Sequence, residues 1–129
     1  MNRSDVTDRG SYSHIFVYRI PAQNHAAMMN LQKQLTQIYR KHGTLSSQFY
    51  QLEKTNVFEG FTGMDKAIGA KPDEEVWIEV DTYHDADQFK KVVEAVGADK
   101  GSGSLFGQLY GLISSGYSII MGEYSYLEI

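Results

Sequence analysis

Two periods of apolar and polar residues alternate along this chain, and their order sets the elements. Over residues 12–20 both alternating sides are apolar, with His14, Phe16, Tyr18 and Ile20 on one and Ile15 and Val17 on the other. That pattern predicts a strand covered on both faces, ended by Pro21, which cannot donate to a ladder. Met28, Leu31, Leu35, Ile38 and Tyr39 then recur at helical steps, with Asn24 as N-cap and Arg40, Lys41, His42 and Gly43 suited to the carbonyl end. Residues 44–58 have strand composition, through Phe49, Tyr50, Leu52, Val57 and Phe58. Residues 59–73 carry Gly60, Gly63, Gly69 and Pro72 and form a connection longer than a hairpin needs, a lid or a mobile excursion. A third strand spans residues 75–83. Asp85 and Gln88 have capping-box spacing and open a second helix, in which Phe89, Val92, Val93 and Val96 make one face and Gly97 supplies the stop. A shorter helix over 104–114 and a last strand over 117–129 complete the order.

This order, βαββαβ with a small extra helix before the last strand, predicts an α+β fold. Two interleaved strand-helix-strand units make a four-stranded antiparallel sheet of the ferredoxin-like kind. Right-handed crossovers put both main helices on one face. The other face is not polar either, because alternation sets Trp77, Glu79, Asp81 and Tyr83 against Val76, Ile78 and Val80. An apolar face of that size on a monomer is an interaction site. We therefore expect a homodimer through the sheet face, two-fold symmetric, with Trp77 in the contact. Residues 1–10 are polar and read as a mobile leader, and residues 11–129 as one domain.

Three stretches carry a resemblance: Tyr39-Arg40-Lys41-His42-Gly43 at the end of the first helix, Lys71-Pro72-Asp73-Glu74-Glu75-Val76 opening the third strand, and Ile120-Met121-Gly122-Glu123-Tyr124 in the last. The chain resembles the dimeric α/β barrel superfamily, and within it a family of short prokaryotic proteins of unknown function. The resemblance implies a ferredoxin-like protomer paired through its sheet. Relatives in the superfamily include cofactor-independent monooxygenases of antibiotic biosynthesis, haem-degrading enzymes and muconolactone isomerases. None of their catalytic residues matches a position here, so none is carried over.

Composition narrows the function. The 129 residues include no cysteine, which excludes disulfide scaffolds, thiolate metal sites and thiol catalysis. A net charge of −4, with no Lys/Arg run longer than a pair, argues against nucleic acid and anionic membranes as partners. No apolar stretch approaches the roughly 20 residues of a membrane span, and the first residues do not form a signal peptide, so a soluble cytoplasmic protein is expected. The four histidines have no convergent carboxylates, so no metal site is expected. Gly103, Gly107 and Gly111 share one helix side, which suits close backbone approach better than phosphate binding.

The oddest feature is Glu79 and Asp81 on one strand face. They either pair with Arg19 or a partner's lysine, or line a wet cavity in which one has a raised pKa and acts as a base. His14, Asp81 and Tyr83 are the candidate proton-transfer groups. Phe16, Tyr18, Phe49, Trp77 and Met28 are the candidates to line a pocket between sheet and helices for a small, largely apolar or aromatic ligand. Two readings follow. One is a barrel that binds such a molecule and acts on it without metal or bound cofactor, like a monooxygenase or an isomerase. The other is a non-catalytic interaction or regulatory dimer with a filled core.

Overall fold

The structure, a computed structural model, describes residues 10–116 and 119–129. Strand β1 (Tyr12–Pro21) leads through a 3-10 turn into helix α1 (His25–Lys41), followed by β2 (Ser46–Gln51), a one-turn helix α2 (Met64–Ala67) and β3 (Glu74–Tyr83). Helices α3 (Ala86–Ala98) and α4 (Ser102–Leu112) precede β4 (Ile119–Ser125). The sheet runs β2-β3-β1-β4 and every neighbouring pair is antiparallel. The expected four-stranded ferredoxin-like arrangement is the one observed.

Several boundaries move for physical reasons. Strand β2 is shorter than expected: it ends at Gln51, Leu52 adds one more backbone bond to Val76 of β3, and residues 53–58 have no strand pairing. Asn24 occupies the N-cap position of α1 but makes no cap bond; its Nδ2 donates to Leu112 O instead, tying α1 to the end of α4. Gly43 adopts φ +118°, the left-handed conformation that ends α1. At α3 the cap is as expected, with Gln88 N donating to Asp85 Oδ1 at 2.8 Å. The reciprocal bond is shifted by one residue, since Gln88 Oε1 accepts from His84 N. Gly97 does not stop α3, which continues through Ala98 to Asp99. A Cβ on Gly103, Gly107 or Gly111 would meet nothing within 4 Å, so that stripe faces open space and makes no close approach. The leader expected over residues 1–10, Gly10 apart, and the expected start of the last strand at Tyr117 lie outside the described residues.

The face taken by the helices is opposite to the one expected. Tyr18, Ile20 and Trp77 pack under α1 with Met28, Leu31 and Leu35, while Tyr83 packs under α3 with Phe89, Val92 and Val96. The side of the sheet bearing Trp77, Glu79, Asp81 and Tyr83 is therefore the helix-covered core, and Trp77, 2% exposed, is no contact residue for a facing sheet. Where both sides of a strand are apolar, alternation defines two faces without saying which the helices cover. The open face carries Ile15, Val17, Val76, Ile78, Val80 and Ile120, in register across β3, β1 and β4. Residues of the connection between β2 and β3 fold back onto one end of it, where Ile68, Leu52 and Ala70 pack on Val17 and Val76.

Candidate functional site

Alternation along β1 and β3 builds a ladder of paired side chains on the helix-covered face: Tyr12 with Tyr83, His14 with Asp81, Phe16 with Glu79, and Tyr18 with Trp77. Helix α1 lays Gln32, Leu35 and Tyr39 across the middle of this ladder, and α4 brings Phe106, Leu109 and Ile113 from the side of β4. Between them lies a cavity of about 190 Å³, whose walls are Phe16, Leu35, Phe106, Leu109 and their neighbours. No lysine, arginine or histidine lines it among the described residues.

Its polar end is a hydrogen-bonded group. Gln32 Nε2 donates to the Tyr18 hydroxyl at 3.1 Å and to Glu79 Oε1 at 3.3 Å. Tyr18 Oη lies 3.5 Å from the same carboxylate oxygen, at the long limit of a hydrogen bond. Asp81, two residues along on the same face, is 4% exposed and its charge acts on Glu79. The cation suggested for these acids is elsewhere: Arg19 lies on the opposite face and pairs with Glu74 at 3.0 Å. A buried and a half-buried carboxyl side by side on one strand, with no lysine or arginine paired to them among the described residues, do not both ionise cheaply. Burial, reinforced by the charge of Asp81, raises the Glu79 pKa well above the ordinary carboxylate range, against the opposing hydrogen bonds from Tyr18 and Gln32. Burial likewise raises the Tyr18 and Tyr39 hydroxyls, so both remain protonated.

The other residues singled out from the sequence divide by place. Phe16 and Tyr18 line the cavity. Phe49 and Trp77 line a separate groove on the outer side of α1, with Met29. Met28 is wholly buried in the core. Tyr83 is core as well, its hydroxyl pushed up to about 12 by burial. His14 stacks on Phe16 at 4.1 Å and meets the Phe89 ring edge-on at 5.0 Å. Burial lowers its pKa, while Asp81 and Glu123, its partners on either side across the sheet, oppose that shift. Among the described residues no three histidine or acidic side chains converge as metal ligands, and no helix is long and apolar enough to cross a membrane. Gln32 and Tyr39 were not anticipated. Gln32 had a signal, since it falls inside the apolar stripe of α1, four residues after Met28 and three before Leu35.

The profile of the DUF1428 family, described as proteins of unknown function, matches residues 11–104. No curated protein matches the chain. Among solved structures, a dimeric ferredoxin-like protein from an uncultured marine organism aligns with a TM-score of 0.64 at 9% identity, over 98% of this chain and 96% of its own. A conserved protein from Methanosarcina mazei Go1 aligns at 0.57 and 12% identity, over 94% and 97%. A protein from Arabidopsis thaliana aligns at 0.58 and 8%, over 92% and 97%. At these identities the likeness is one of fold.

Proposed function

The chain belongs to the DUF1428 family of proteins of unknown function, and on that premise we propose that it is a homodimer that binds a small, uncharged, largely apolar molecule between sheet and helices and exchanges a proton with it through Glu79. The observation that carries this reading is a carboxyl of raised pKa in the wall of an aromatic cavity, next to a second carboxyl on the same strand face, with no lysine, arginine or histidine lining the cavity among the described residues. Raised by burial and by the neighbouring charge of Asp81, Glu79 keeps its proton above the ordinary carboxylate range, which suits a group that both gives and takes a proton. Tyr18 and Gln32 position Glu79, and Tyr39 offers a hydroxyl from the opposite wall. Proton transfer is assigned to Glu79, which lines the cavity, whereas His14, Asp81 and Tyr83 do not.

Size and charge restrict the ligand. A cavity of about 150 Å³ accommodates one benzene ring, so this one suits a single ring with a short substituent. An anion would be repelled by the carboxyl pair. The reaction class is an isomerisation by proton transfer, which needs no metal or bound cofactor. Association through the open sheet face is supported by its row of apolar side chains and by the dimeric state of the marine ferredoxin-like neighbour.

Ligand binding is tested by NMR with phenol, benzaldehyde and benzoate. The two neutral compounds should perturb the methyl groups of Leu35 and Leu109, benzoate should not, and Leu109→Trp, which fills the space, should abolish the response while the fold persists. Identical silence towards all three compounds would favour the non-catalytic dimer.

A further inference from the structure

The segment joining β2 to β3 is an arm with a pinned base and a bare tip. At the base, Leu52 N donates to Val76 O at 2.8 Å, Thr55 Oγ1 to Asp65 Oδ1 at 3.1 Å, and Arg19 Nη1 to Gly69 O at 3.1 Å. Ile68, 8% exposed, seats this base on the open face. At the tip, Phe61 N donates to Phe58 O at 2.9 Å and Gly60 takes φ +84°, forming a tight turn. The turn holds two phenylalanines 6.0 Å apart, edge to face, and leaves them 68% and 70% exposed with Glu59 between them. None of the described residues covers them. An ordered turn that displays two aromatic rings to water costs free energy unless they are buried elsewhere.

The groove lined by Phe49, Trp77 and Met29 is apolar at its floor and opposite in charge to Glu59 at its rim. It measures about 450 Å³ between α1 and the edge strand β2, and Lys33 and Arg40 stand over it. Neither cation has an ion pair among the described residues. The arm cannot fill its own groove, because its base is fixed to the opposite side of the sheet. We propose that the turn at residues 58–61 docks into this groove of a second copy, with its rings on Met29 and Phe49 and Glu59 between Lys33 and Arg40. Under two-fold symmetry the exchange is reciprocal, so each arm passes round its partner's β2 edge. The proposal rests on the homodimer read above and adds the contact that locks it.

Sedimentation equilibrium of the full chain tests it. Phe58→Ser/Phe61→Ser should weaken the dimer about 30-fold or more, as removal of interface aromatics does. Glu59→Arg and Arg40→Glu should each weaken it, and their combination should recover most of the loss, a result that misfolding does not produce. Ile120→Lys on the open face should separate the protomers independently. If Ile120→Lys gives monomers while the double serine variant stays as tight as wild type, the arm does not dock in a second copy, and its rings serve a different partner. A wild-type monomer at 100 μM would overturn both the arm contact and the homodimer.

Discussion

Glu79 shows how one side chain ties stability to chemistry. Its pKa in the folded chain is raised well above the unfolded value of 4.5. The folded state thus keeps a proton that the unfolded state releases, so this group's contribution is full below pH 4.5 and drains away as pH rises through the raised value. Stability should therefore fall on the alkaline side of that window. Glu79→Gln keeps the shape, removes the titration and flattens the decline, leaving the variant more stable than wild type at pH 8. Urea unfolding at a series of pH values checks this, and a Gln variant less stable than wild type at pH 8 would contradict it. Alternation along β3 was enough to mark Glu79 and Asp81 as an anomaly on one face. It could not choose between them or place the missing cation, because Arg19, one residue out of phase with Tyr18 on β1, points to the other side of the sheet. Gln32 was legible in principle as a polar residue at a core position of a helix. Its role was not, because its partners Tyr18 and Glu79 are fixed only when helix and sheet meet.

At the scale of elements, the corner after α3 and the arm are held by few contacts. Asp99 accepts from His42 Nε2 at 2.7 Å, from Gly101 N at 2.8 Å and from Lys41 Nζ at 3.3 Å, joining the end of α1 to the start of α4. Led by the His42 hydrogen bond, these contacts depress its pKa to about 2 from 3.8. A depressed carboxyl contributes above its unfolded pKa and loses that contribution as pH falls through its folded one. Asp99→Asn should accordingly melt earlier than wild type at neutral pH and converge on it at pH 2, as read by circular dichroism. For the arm, Ile68→Ala should cost about 2 kcal/mol and speed hydrogen exchange over residues 52–73 while leaving β1 protected. Helix positions and the Asp85 cap followed from local signals, as did the left-handed Gly43. The arm did not, because Ile68 is a lone apolar residue in a glycine-rich stretch, and what it covers, Val17 and Val76, lies on two other strands.

Across the whole molecule the element order and the topology were legible, while the side of the sheet taken by the helices was not. The difference has a direct test. Trp77→Lys, an interface change if the contact were on that face, puts a charge into the core beside Tyr18 and should unfold the chain, whereas Val80→Lys on the open face should leave circular dichroism intact and separate the protomers on sizing. A folded Trp77→Lys, whether monomeric or dimeric, would overturn the placement. The central position of β1 has a further effect. It pairs with β3 on one side and on the other with β4, where Tyr12 meets Ser125. During synthesis the first strand must therefore wait for the last: until residues 119–125 leave the ribosome, the middle of the sheet has an unpaired edge flanked by apolar side chains, the state most open to sticking to other nascent chains.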